Sequence, residues 1–136
     1  MPDPATEAEP RRTARAEATR RRVLDSAGEC LAELGPLGAT SNEIARRAGV
    51  SWGVIQYHFG TREGILLAWI EDSLEVLLGA LDGHEATEEA TLDERIALVA
   101  DAIWGYCSQP DYMLSMDVLR LLSHDPLSAD AVDAML

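Results

Sequence analysis

Thr40-Ser41-Asn42-Glu43-Ile44-Ala45-Arg46-Arg47-Ala48-Gly49-Val50-Ser51-Trp52-Gly53-Val54-Ile55-Gln56-Tyr57-His58-Phe59-Gly60 is the stretch that decides the fold. Thr40 with Glu43 three residues on is a capping box, which opens a short helix. Ile44, Ala45 and Ala48 give that helix an apolar side. Gly49 can take the left-handed conformation that ends it, and Val50 supplies the usual apolar contact beyond. Ser51 then caps a second short helix, Trp52 to Phe59. Gly60 closes it, and Thr61 caps the next. Two short helices around Ala48-Gly49-Val50-Ser51 resemble a helix-turn-helix. Ala45 is small where the two helices must cross closely, and Ile44, Val50 and Ile55 can form the core that holds the crossing. From residue types alone, a generic helical hairpin stays open beside a DNA-binding one.

The helix after Ser51 separates them further. At about 100° per residue, Ile55 and Phe59 share one side, and Gly53 and Tyr57 lie almost opposite. A helix serving only a core has little use for glycine and a polar-tipped aromatic on its free face. A helix in a major groove uses both: glycine lets the backbone approach, and Tyr57 can donate to a phosphate. Gln56 can read a base edge, ideally adenine, and Val54 can touch a thymine methyl. His58 sits at the rim, facing phosphate or packed half-buried. Thr40 and Ser41 stand at a helix N-terminus, which favours an anion. Ser51 and Trp52 open the groove-facing helix, and Arg62 at the start of the next can reach backbone phosphate. Arg46 and Arg47 fall in a last helical turn, where pairing with the helix dipole is the plain alternative.

Outward from this segment only helices are expected. Residues 1–13 hold three prolines and almost nothing large and apolar, and read as a disordered arm from which Arg11, Arg12 and Arg15 could extend to DNA. Val23, Leu24, Ala27, Leu31 and Leu34 recur at helical spacing until Gly35 and Pro36 stop the helix. A long helix runs from about Arg62 to Leu81. Thr91 with Glu94 opens a fifth, with Ile96, Val99, Ile103 and Trp104. Pro110 starts a sixth and Pro126 a seventh that reaches the chain end at Leu136. The domain reading is an arm (1–13), a helix-turn-helix domain (14–61), and a helical ligand-binding or regulatory domain (62–136) expected to be incomplete at its C-terminus.

The chain has 136 residues and a net charge of −13, with 11 basic and 24 acidic residues. That charge is uneven. Residues 1–70 hold nine arginines and nine acids, whereas residues 71–136 hold two arginines against fifteen acids. An acidic total therefore does not exclude nucleic acid, because a phosphate backbone responds to the local face it meets. No apolar run approaches the ~18 residues of a membrane span. Met1-Pro2-Asp3-Pro4 begins no secretory signal, and two cysteines make no disulfide framework, so a cytoplasmic setting is expected. There is no lysine, which removes P-loop, Schiff-base and Ser-x-x-Lys chemistry. His84-Glu85-Ala86-Thr87-Glu88 starts like a zinc-protease motif but lacks its second histidine. No catalytic residue, metal site or cofactor is expected.

At this point the sequence resembles the tetracycline-repressor (TetR) family of bacterial regulators. The resemblance rests on Val23-Leu24-Asp25, Ala27, Gly35, Ala39-Thr40-Ser41, Ile44-Ala45, Ala48-Gly49-Val50-Ser51, Gly53, Tyr57-His58-Phe59, Thr61-Arg62-Glu63 and Leu66. Trp52 stands where the family often has lysine and Gln56 where it often has tyrosine. The resemblance implies an all-α protein with a three-helix DNA-binding domain and a helical domain that binds a small molecule and pairs two subunits. The expected partners are a double-stranded operator, a small-molecule effector and, in the full-length form, a second copy; no membrane is expected. Trp69, Leu74, Leu77, Trp104, Met113, Met116 and Leu119 are candidates to line the effector cavity, with plain core packing as the alternative. A second functional reading is a truncated helical interaction module that binds no operator productively.

Overall fold

Among the residues described by this computed structural model, 4–82, 89–126 and 128–135, there are seven α-helices and no strand. They are α1 (Pro4–Gly38), α2 (Ser41–Ala48), α3 (Trp52–Phe59), α4 (Arg62–Asp82), α5 (Leu92–Cys107), α6 (Tyr112–Ser123) and α7 (Ala129–Met135). The motif-like run from His84 lies outside the described residues, as do residues 1–3.

α1 departs from expectation at its start. Residues 4–13 are helical and not a disordered arm. Their composition explains both the expectation and the outcome. Few large apolar residues leave no helical period to detect, yet Ala5, Glu7, Ala8, Glu9, Arg11 and Arg12 are strong helix formers. Such a segment can extend an existing helix because elongation avoids the unfavourable nucleation step, and here it does so in spite of Pro10, which lies inside the helix and removes one of its backbone hydrogen bonds. The break expected at Gly35 is present: its φ of 72° and ψ of 174° interrupt the helix before one last turn to Gly38.

The chain divides into two compact units, residues 1–65 and 66–136. In the first, α2 packs on α1 and α3 packs on α2. Val23, Leu24, Ala27 and Leu31 of α1 meet this core with Ile44 and Ile55, and all six are essentially inaccessible. Burying each large aliphatic side chain contributes about 1.5–3 kcal/mol. Val50 is only half-buried, closing the core at its edge. The unit ends within the first turn of α4, later than the sequence boundary at 61/62. Arg62 gives the physical reason. Its Nε donates to the Ala39 carbonyl at 2.8 Å and its Nη2 to the Pro36 carbonyl, tying that turn to the segment before α2.

In the second unit α5 packs on α6 and α6 on α7. Ala102, Val118 and Leu122 are buried there. Thr91 and Glu94 form the expected capping box in full: Thr91 Oγ1 accepts from the Glu94 N–H, and Glu94 Oε2 accepts from the Thr91 N–H at 2.8 Å. α6 and α7 each begin two to three residues after the prolines expected to start them, because turns at Pro110-Asp111 and Pro126 come first.

Candidate nucleic-acid interface

Ser41–Ala48 and Trp52–Phe59 are the two short helices foreseen for residues 41–60. Gly49 makes their turn. At φ 66° and ψ 36° it occupies the left-handed region that glycine enters without steric cost. Its conformation lets the Val50 N–H reach back to the Ala45 carbonyl at 3.1 Å, the closing bond of a Schellman motif.

The N-terminus of α2 is half of the expected capping box. Thr40 Oγ1 accepts from the Glu43 N–H at 3.3 Å, but Glu43 does not reach back to Thr40. Its carboxylate is drawn away by two guanidinium groups. Arg46 binds it bidentately at 2.9 and 2.6 Å, and Arg47 Nε joins at 2.8 Å. These bonds, Arg46's first, hold the Glu43 carboxyl down at about 2. Arg47 also bridges to Glu33 of α1 at 2.8 Å, which with Glu43 keeps its guanidinium firmly protonated. The dipole alternative for Arg46 and Arg47 is thus replaced by an ion-pair cluster that ties α2 to α1.

α3 separates its two faces as the wheel requires. Ile55 is fully buried and Phe59 half-buried, with the Arg20 guanidinium 5.5 Å from the Phe59 ring centre. Gly53, Gln56 and Tyr57 are exposed, Tyr57 by 83%. Val54 is half-buried beside them, and Trp52 is 46% exposed at the helix start. Ser51 occupies the N-cap position without making a side-chain cap bond. His58 is half-buried and meets the Tyr57 ring edge-on at 5.0 Å. Thr40 is exposed and Ser41 partly so. Thr40, Ser41, Ser51, Trp52, Gly53, Gln56 and Tyr57 therefore all keep surface that a ligand can meet.

Arg62 is used differently from its expected role. A half-buried guanidinium already donating to two carbonyls, with Nη1 3.6 Å from Glu63, has its main donors spent inside the protein. Sequence spacing could not reveal this, because Pro36 and Ala39 lie 26 and 23 residues away.

In the second unit the cavity candidates scatter. Trp69 is buried and Leu74 and Leu119 half-buried, whereas Trp104 is 74% and Met113 68% exposed, and Met116 is exposed too. A cleft of about 260 Å³ is lined by Val76, Leu77, Ala80, Asp101, Ala102, Gly105, Tyr106 and Gln109. Of the seven candidates only Leu77 belongs to it. Asp101, Tyr106 and Gln109 were missed; the signal was the four-residue recurrence of Asp101, Gly105 and Gln109 on one helical face. Burial pushes the Tyr106 phenol up, and Ser115 hydrogen-bonds it.

Residues 23–69 match the family described as bacterial regulatory proteins, tetR family. The HTH-type transcriptional regulator BetI of Escherichia coli O17:K52:H18 (strain UMN026 / ExPEC) is 35% identical over 83 residues, which is 60% of this chain and 43% of that protein. BetI of Escherichia coli (strain K12 / DH10B) is 35% identical over 81 residues, 59% of this chain and 42% of that one. The chain thus spans less than half the length of these curated relatives. The crystal structure of multidrug binding protein EbrR complexed with imidazole superposes with a TM-score of 0.67 at 19% identity, over 85% of this chain and 61% of that one. That likeness is one of fold. The family match takes in the whole segment that forms α2 and α3, and it is over residues 23–69 that this chain is similar to the tetR family of bacterial regulatory proteins.

Proposed function

We propose that this chain is a DNA-binding transcriptional repressor of the cytoplasm, whose α3 enters the major groove of a palindromic operator. In its full-length form two copies occupy the two half-sites, and a small-molecule effector releases them. The observation that supports this reading is the exposed face of Gly53, Gln56 and Tyr57 on a helix anchored from behind by Ile55. Gly53 lets the α3 backbone approach the bases, Gln56 reads adenine, and Val54 touches a thymine methyl. Tyr57, Ser51, Thr40, Ser41 and the rim His58 face phosphates, and Trp52 packs on the sugar edge.

In-vitro selection of DNA by the chain at two salt concentrations tests the reading. It should return an inverted repeat with half-sites about one turn (~34 Å) or a multiple apart, bound less tightly as salt rises. Gly53→Ala separates fold from recognition. A Cβ there meets nothing nearer than Ser51 Oγ at 3.8 Å, so the free protein should gain roughly 0.5–1 kcal/mol. The same methyl should weaken operator binding. Gln56→Ala should cost about 1–3 kcal/mol of discrimination at a single base pair. If both variants bind like the wild type, α3 is not the reading helix.

One observation favours the alternative of an interaction module without operator binding. Leu92, Ile96, Val99 and Ile103 of α5 are all exposed, an apolar stripe with no cover among the described residues. A selection that returns no common sequence, together with concentration-dependent association in sedimentation, would establish it instead.

For the effector, the cleft beside Tyr106 offers apolar walls, an aromatic ring and the Asp101 carboxylate, which has no ion-pair partner among the described residues. A small organic cation with an apolar body suits that lining. Alkylammonium ions should release bound operator where neutral isosteres do not, through a coupling of about 1–3 kcal/mol. Asp101→Asn should abolish that preference; an undiminished preference would place the effector elsewhere.

A further inference from the structure

The nine arginines of residues 1–70 divide sharply by what they already hold. Arg46 and Arg47 are committed to Glu43 and Glu33. Arg62 is committed to backbone carbonyls, and Arg20 lies on Phe59. Arg21 has a partner of its own. Arg11, Arg12, Arg15 and Arg22 are left exposed, and among the described residues they enter no ion pair. All four sit on α1. A phosphate backbone is held by cations free to meet it, and in the first unit those cations are concentrated here.

Their setting is helical and not a loose arm. The only non-helical residue inside α1 is Gly35, well beyond them. At about 100° and 1.5 Å per residue, Arg11, Arg15 and Arg22 fall within roughly 40° of one another along roughly 16 Å of axis, and Arg12 flanks them. Thr13 and Thr19 spend their hydroxyls on the Glu9 and Arg15 carbonyls, both at 3.0 Å, so they leave the arginines unobstructed. From residue 9 to residue 15 every side chain is exposed, so this part of the helix stands clear of the core.

We infer that the N-terminal half of α1 is a second DNA-contacting surface, a rigid helix whose Arg11, Arg12, Arg15 and Arg22 lie along the phosphate backbone of duplex DNA outside the groove read by α3. The inference rests on the operator-binding reading above. It adds a term indifferent to sequence: phosphate contacts set affinity and its salt dependence, whereas base contacts set preference. It also accounts for how a chain of net charge −13 meets a polyanion.

The test measures operator affinity against salt for the whole chain, on a duplex carrying the selected site and on a scrambled duplex. Replacing Arg11, Arg12, Arg15 and Arg22 together by glutamine should flatten the slope of log K against log salt by about 2 to 4, since each phosphate contact contributes ~0.9. The ratio between the two duplexes should not change. The corresponding lysine variant should keep the wild-type slope. Ala14→Pro keeps every charge but breaks the helix between Arg12 and Arg15, and should flatten the slope by about 2. A glutamine variant with the wild-type slope, or an Ala14→Pro variant without loss, would overturn the inference while leaving operator binding standing. A wild-type chain that binds neither duplex at low salt would overturn the operator reading itself.

Discussion

Ile55→Ala should unfold α3 from its support at a cost of about 2–5 kcal/mol, the range for removing an aliphatic side chain from a packed core. The expectation is large because α3 has eight residues and only one that is buried. A helix so short has no stability of its own and persists through tertiary contact. Ile55 faces the core that also holds the fully buried Ile44 and Leu24, so its loss leaves a cavity and a detached helix together. Urea denaturation should show a lower midpoint, and operator binding should be lost even below the new midpoint. Tyr57→Ala is the contrast. With the ring 83% exposed, stability should stay within about 0.5 kcal/mol of wild type while DNA affinity falls. An Ile55→Ala chain as stable as wild type would refute the anchoring role.

Gly64→Ala should destabilise the same region by about 1–3 kcal/mol or more, the cost of forcing atoms into filled space. The sign is what makes this informative. Alanine in place of a helical glycine ordinarily stabilises by up to about 1 kcal/mol. Here the added Cβ would stand 1.9 Å from the Phe59 carbonyl oxygen and 3.0 Å from its carbon. That neighbour is backbone and cannot rotate aside. It is also held in place: the Thr61 N–H donates to the same oxygen at 2.8 Å, and the Gly64 N–H donates to Thr61 Oγ1 at 3.1 Å. The junction between α3 and α4 must open to admit the methyl group. Gly79→Ala supplies the control within one helix, since a Cβ there meets nothing within 4 Å. Thermal unfolding should move down for position 64 and up for position 79. A shift upward at both would show that the close approach at Phe59 is not real.

Reading order along the chain explains why some features were legible and others not. The caps at Thr40 and Thr91, the turn at Gly49 and the break at Gly35 depend on residues within four positions of one another, so their chemistry is local and survives folding. The division of α3 into Ile55 and Phe59 against Gly53 and Tyr57 is legible for the same reason, because helical geometry alone sorts the faces. The helicity of residues 4–13 is not legible in the sequence, because helix propensity without an apolar period, interrupted by Pro10, leaves no pattern to find.

Sequence alone sufficed for the number and kind of the helices and for which face of α3 is free, because both follow from short-range backbone chemistry and a fixed rotation per residue. Folding in three dimensions decided how each charge is used. Arg62 turns to the carbonyls of Pro36 and Ala39, and Arg47 to Glu33. Asp101 joins Leu77 and Tyr106 around a cleft, while Trp104 stays in solvent. A guanidinium or carboxylate takes the partner that lies closest in space, and that partner can come from any part of the chain.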